Sequence, residues 1–324
     1  MPLRGRLPVL AAALAVSLTG CAIFEGARTA PPASDMDGWT AGPSALEALT
    51  EVAVAVHDGR IWVAGGLDAG GRAVATVQVL DPATGVWELG PELPEPIHHA
   101  TLASDGERVL LIGGYGSDGA ARATVHALEA VAPLDGAWIE HVGLPAPRAA
   151  GAAAWDGAGR IVYAGGVGPD GVSGDVLVLV DRGWRELGAL SEPREHLAAT
   201  SDDAGTTYVM GGRRGGLDGN LAVVDVVAGD GVRRLCEVPT RRGGVAAFWW
   251  PALGACLVGG ESPGGTNPQV ECIDAGGRVT GLPDLARSRH GLGAVVVDGT
   301  AYVLLGGEQP GLFVSDAVEL LKLP

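Results

Sequence analysis

Six Gly-Gly pairs, each closing a short apolar run, recur along this chain at nearly constant spacing. They are IWVAGG at Gly65-Gly66, VLLIGG at Gly113-Gly114, IVYAGG at Gly165-Gly166, YVMGG at Gly211-Gly212, CLVGG at Gly259-Gly260 and YVLLGG at Gly306-Gly307. The first glycines stand 48, 52, 46, 48 and 47 positions apart. A period of this length marks one supersecondary unit used repeatedly, each copy burying its apolar face by stacking on the next. Gly makes up 53 of the 324 residues, which argues against a mostly helical chain because Gly is a poor helix former.

Each period carries the same order of signals. A small-residue apolar run comes first (residues 52–56, 151–155, 245–249 and 293–297), then a turn such as His57-Asp58-Gly59, Asp105-Gly106, Asp156-Gly157 or Asp298-Gly299. Asp-Gly suits tight hairpins because Gly takes positive φ readily. The Gly-Gly strand follows, then a loop, a third run (residues 76–80, 175–180 and 269–273) and a fourth beginning at Trp87, Trp138 or Trp184. Four short antiparallel strands per period, repeated radially, predict an all-β, six-bladed propeller. The sixth period runs out after its third strand, over residues 314–321, while Gly38-Trp39-Thr40 begins like a fourth strand and has no blade of its own. It is expected to complete the last blade and remove the open edge.

The pattern resembles the kelch family, which has a Gly-Gly after its second strand, an aromatic shortly before it and a later Trp. The matching aromatics are Trp62, Tyr163, Tyr208 and Tyr302, and residues 77–96 form the closest single repeat. The fourth and fifth periods depart from it, with Val232-Arg233-Arg234 and Arg278-Val279-Thr280 where a Trp is expected.

Residues 1–20 read as a signal peptide: Arg4 and Arg6, an apolar stretch over 7–17, then Leu18-Thr19-Gly20-Cys21. That tetrapeptide resembles the bacterial lipobox, which implies acylation of Cys21 and a membrane anchor. Ala22 in place of Asp points to the outer membrane. Residues 21–36 read as a tether and 37–324 as the propeller. A net charge of −16 excludes general binding to nucleic acid.

Propellers bring their fourth-to-first and second-to-third connections to one face. Arg148, Arg194, Arg242 and Arg289 each stand 17 positions before a first Gly, with His98, His99, His196 and His290 nearby. They form either an anion-binding mouth or, as the kelch resemblance implies, internal ties to backbone and acidic partners. Tyr115, Arg213-Arg214 and residues 261–267 lie in second-to-third loops, where recognition on a rigid scaffold usually sits. No local metal-ligand spacing occurs, and alternation along a strand would turn His98 and His99 to opposite sides, so neither metal nor cofactor is expected. Cys256 and Cys272 face each other across one predicted hairpin, as a disulfide or as two packed thiols. These features predict a binding module for a protein or carbohydrate partner in the cell envelope. The alternative, drawn from the resemblance to exported kelch sialic-acid anomerases, is a sugar-acid anomerase or epimerase. The four arginines would then hold the carboxylate, and His196 or His290 would transfer protons.

Overall fold

A computed structural model describes residues 38–129, 134, 136–181 and 183–323. The signal peptide, Cys21 and the tether lie outside the described residues. Six four-stranded antiparallel sheets stand around a common axis. Blade one comprises Ala53–His57, Arg60–Ala64, Val77–Asp81 and Val86–Leu89. Blade two comprises Thr101–Ser104, Arg108–Ile112, Val125–Glu129 and Trp138–His141. Blade three comprises Ala152–Trp155, Ile161–Ala164, Asp175–Val180 and Gly183–Ala189. Blade four comprises Ala198–Ser201, Thr207–Met210, Val223–Ala228 and Gly231–Glu237. Blade five comprises Ala246–Trp250, Gly254–Val258, Val270–Ile273 and Val279–Leu282. Blade six comprises Gly293–Val297, Thr300–Leu304, Val318–Lys322 and the N-terminal Thr40–Ala41. The innermost strands of consecutive blades pack on one another in a closed ring, blade six against blade one included. Among the described residues no helix is long and apolar enough to cross a membrane.

The closing strand is short: Thr40 pairs with Leu320 and Ala41 with Glu319. It is held further by Gly42 N–H on Val318 O and by Trp39, whose indole N–H donates to Pro283 O at 2.9 Å. The other repeat tryptophans do the same. Trp87 donates to Pro43 O, Trp138 to Pro91 O and Trp184 to Val142 O, each reaching the carbonyl just beyond the preceding blade's outermost strand. The recurring Trp is therefore an inter-blade latch: its ring fills the gap between sheets and its N–H satisfies a loop carbonyl. In blade four, which lacks it, Val232 packs close to Gly188 of blade three.

The Gly-Gly pairs link the blades through the backbone. The second glycine's N–H donates to a carbonyl at the entry of the following blade: Gly66 to Ile97, Gly114 to Arg148, Gly166 to Arg194, Gly212 to Arg242 and Gly260 to Arg289. The first glycine has φ near +60°, and a Cβ at Gly113 would stand 2.3 Å from Arg148 O. At Gly113 only Gly fits both demands. In blade six the register is displaced by one from the Gly-Gly reading. Leu305, with φ 56°, takes the first-glycine place, and Gly306 N–H donates to Leu49 O, closing the ring.

Candidate functional site

At one end of the axis the chain forms a second ring. Glu51, His99, Ala150, His196, Gly244 and Gly291 each immediately precede the region of a blade's innermost strand, and each N–H donates to the equivalent carbonyl of the preceding blade. The six bonds measure 2.8–3.1 Å and run continuously from Glu51 to Gly291, Gly244, His196, Ala150, His99 and back to Glu51. All six residues have φ between +52° and +65°. That conformation is easy for Gly and costs about 1 kcal/mol or more for a residue with a Cβ. Four of the six positions bear that strain, three of them with side chains able to do acid–base chemistry.

Two further tiers stand beside this belt. The residues just before it pair in backbone bridges with those following the Gly-Gly turns: His98 with Tyr115, Glu195 with Arg213, His290 with Gly307, and Gly243 with Glu261. The ladder carries these side chains from blades two, four, five and six to the axis.

The polar contacts are continuous. His99 Nε2 lies 3.0 Å from His196 Nε2 and 3.2 Å from Glu51 Oε2. His99 Nδ1 faces His98 Nδ1 at 2.6 Å, and His196 Nδ1 is bonded to the Glu195 carboxylate. Arg213 bridges Glu195 and Glu261, at 3.4 and 2.6 Å. His290 Nδ1 stands 3.4 Å from Glu51 Oε1 and 3.8 Å from Glu261 Oε1, while its Nε2–H points at the carbonyls of Gln309 and Gly311. The Tyr115 ring lies 5.4 Å from that of His98 and 5.8 Å from that of His99. A cup of about 440 Å3 lies here, lined by Tyr115, Glu195, Arg213 and Glu261 among others. A cavity of about 70 Å3 under the belt is lined by its six residues and the start of the innermost strands.

Burial decides the protonation of this cluster. It pushes His99 down to about 3, with Glu51 opposing, and it lowers His98 as well. Burial would raise Glu51, but the facing imidazoles of His99, His290 and His196 more than offset it and hold the carboxyl well below its usual range. His290 also loses solvation, yet its contacts with Glu51 and Glu261 raise it above an ordinary imidazole. Glu51 is thus held toward its carboxylate form, and His290 holds its proton more firmly than an ordinary imidazole.

Of the residues singled out from sequence, His98, His196, His290, Tyr115 and Arg213 are gathered here. Arg148, Arg194, Arg242 and Arg289 are not. Each is buried inside its own blade against a third-strand carboxylate: Asp175, Asp225, Glu271 and Glu319, at 2.5–2.7 Å. Each also donates to backbone carbonyls, as Arg194 does to Val209 O and Arg289 to Val303 O. A guanidinium stripped of water needs such acceptors, and with their charges engaged inside the blades these four do not line the mouth. Arg214 lies on the exposed rim with Glu192 and Pro193 O. The expectation that His98 and His99 point apart is wrong, because the positive φ at His99 breaks the alternation and brings the rings to 4.8 Å. Sequence reasoning missed Glu51 and Glu195. The signal was positional: Glu51 stands 14 residues before Gly65, as His99 does before Gly113. Cys256 and Cys272 are cross-strand partners joined as a disulfide, and Cys236 is a buried free thiol.

Comparison with known proteins agrees with this architecture. The Kelch motif family matches residues 48–94, which cover blade one and its entry. With six blades repeating that unit, the chain is a kelch-repeat β-propeller. The solved structure of YjhT superposes with a TM-score of 0.72, covering 86% of this chain and 96% of that one, at 15% identity. That likeness defines a shared fold. No curated protein matches the sequence.

Proposed function

We propose that the mouth is a small-molecule site at which a sugar or sugar acid undergoes proton-transfer isomerisation, such as anomerisation or epimerisation. The observation that carries this reading is convergence: Tyr115, Glu195, Arg213 and Glu261 reach one cup of about 440 Å3 from blades two, four and five. That volume falls in the range of small-ligand pockets. Carboxylates that accept and a guanidinium that donates suit a polyhydroxylated ligand. Anomerisation needs one group to protonate the ring oxygen while another takes the proton of the anomeric hydroxyl, with no net change in charge or oxidation state. The Tyr115 hydroxyl as proton donor and the carboxylate of Glu195 or Glu261, both held by Arg213, as proton acceptor supply such a pair. Arg213, the guanidinium in the cup lining, is the handle for an acidic sugar through the part of its fork that Glu195 and Glu261 do not engage. The test is exchange NMR between anomers of sialic acids, uronic acids and neutral hexoses. Acceleration should appear for at least one of them and fall at least tenfold in Glu261→Gln. No acceleration for any of these sugars overturns the reading.

A binding role for a protein or glycan is favoured by a separate observation: Leu312 and Phe313 are exposed beside Gly311, a residue of the cup wall. Exposed apolar residues at a loop mouth suit partner contact, and Leu312→Ser with Phe313→Ser should then weaken capture of an envelope partner without affecting anomer exchange. Acylation of Cys21 in the cell envelope belongs to the same proposal. Metabolic palmitate labelling that is lost in Cys21→Ser supports it, and unlabelled wild type counts against it.

A further inference from the structure

The geometry points to a divalent transition-metal site at the floor of the mouth, with Glu51, His99 and His196 as ligands. One oxygen and two nitrogens from blades one, two and four lie within 4.8 Å of one another. Two of the separations are 3.0 and 3.2 Å. Ligand atoms around a tetrahedral zinc ion, at about 2.0–2.2 Å from the metal, stand roughly 3.3–3.5 Å apart. Slight spreading of the three side chains would admit the ion.

Three features separate this cluster from a chance gathering of polar groups. First, each ligand is oriented from behind. His196 Nδ1 is held by the Glu195 carboxylate, so Nδ1 carries the proton and the Nε2 lone pair faces the axis. His99 Nδ1 abuts His98 Nδ1, and the second oxygen of Glu51 faces His290 Nδ1. A carboxylate behind a ligating imidazole is the recurrent outer shell of zinc sites. Second, all three ligands sit on the hydrogen-bonded belt, clamped in positive φ by neighbours on both sides. Strain kept at residues whose side chains converge is an observed outlier from which function can be inferred. Third, the other belt positions are Ala150, Gly244 and Gly291, which bring no ligating side chain to the axis, and a cavity of about 70 Å3 is lined by all six belt residues. Positions left open to water or a ligand characterise catalytic rather than structural metal sites. Two imidazoles with one carboxylate suit zinc or ferrous iron and disfavour magnesium and calcium, which prefer oxygen.

This inference does not rest on the sugar reading, since metal binding is measured without any sugar. The full chain is stripped with chelator and titrated with zinc in a calorimeter, and with cobalt while visible absorption is followed. We expect one ion per chain, a rise in melting temperature with zinc and a cobalt d–d band of a low-coordinate site. Glu51→Gln and His196→Gln should each lower zinc affinity at least tenfold, and Glu195→Gln, which touches no ion, should lower it by about tenfold. Circular dichroism of each variant separates lost binding from lost folding. Absence of stoichiometric binding of zinc, cobalt or ferrous iron to wild type overturns the proposal. Binding that persists unchanged in folded Glu51→Gln and His196→Gln overturns it too, by placing the ion elsewhere.

Discussion

His99 Nε2 and His196 Nε2 meet at 3.0 Å although 97 positions separate them in the chain. They belong to blades two and four, which are not neighbours, and Ala150 of blade three stands between them on the belt. The contact exists because six equivalent backbone positions form a ring narrow enough for alternate members to touch.

The belt tolerates Gly better than any residue with a Cβ, with one reservation about space. Ala150→Gly relieves a positive φ of 52° while freeing the unfolded chain, so its stability should stay within about 1 kcal/mol of wild type. Gly291→Ala is different. Its Cβ would stand 2.5 Å from Thr50 Oγ1 and 2.8 Å from Glu51 Cδ. A loss of about 1–3 kcal/mol is expected, together with displacement of Glu51. Urea unfolding of the two variants checks the contrast.

Acid should weaken the protein through the same ring. His99 is lowered from 6.5 to about 3, so between those values the unfolded chain binds a proton that the folded chain refuses. Stability from this group is whole above the unfolded value and is lost as pH falls toward 3. Glu51, also depressed, adds a loss in the same direction below its ordinary value of 4.5. His290, raised, works oppositely: its contribution is whole below 6.5 and fades as pH rises through the folded value. Unfolding free energies measured from neutral to mildly acidic pH should fall for wild type, and His99→Gln should flatten that slope. Equal slopes would falsify the assignment.

Removing an interior arginine should damage the fold, not the mouth. Arg289→Ala leaves Glu319 buried without its guanidinium partner and removes a donor from the carbonyls of Val303, Leu305 and Ala317. The expected loss is about 3–5 kcal/mol. Arg289→Met combined with Glu319→Met, which removes both charges, should recover a large part of it. Denaturant midpoints of the single and double variants decide.

Closure should be fragile. Trp39 packs in the cluster that holds Phe248, Leu282 and Leu321, so Trp39→Ala is expected to cost about 3–5 kcal/mol. Deleting residues 37–41 should lower the melting temperature further, because it also exposes the edge of Val318–Lys322. Calorimetric scans of both variants measure it.

Thiol counting tests the bridge in blade five. Denatured propeller lacking residues 1–36 should show one free thiol without reductant, from Cys236, and three after reduction. Reduction should also destabilise by about 3 kcal/mol, as expected for a loop of some 15 residues.

Much of the architecture was legible in the sequence because a propeller repeats its local rules. Gly-Gly, Asp-Gly and the outer Trp each mark a backbone requirement recurring in most blades. The exception proves informative: in blade six the requirement moved one residue, to Leu305-Gly306, and the Gly-Gly at 306–307 misaligns it. The site was less legible. The arginines drew notice by recurring, yet recurrence at a repeat position reflects a packing need shared by the blades that carry it, here a buried tie to the third strand in blades three to six. Glu51, His99 and His196 form a site because they differ from their counterparts Ala150, Gly244 and Gly291, and such variation at one repeat position carries no contiguous motif.

Sealing by Thr40–Ala41 also governs the order of assembly during synthesis. The strand that it must join, Val318–Lys322, is made after five whole blades, so the growing chain carries Thr40–Ala41 unmatched until the sixth blade emerges. The hydrogen-bonded belt shares that timing, since Glu51 finds Gly291 only when the wheel shuts. A chain cut before Val318 would therefore lack its seam, however well its first five vanes had folded.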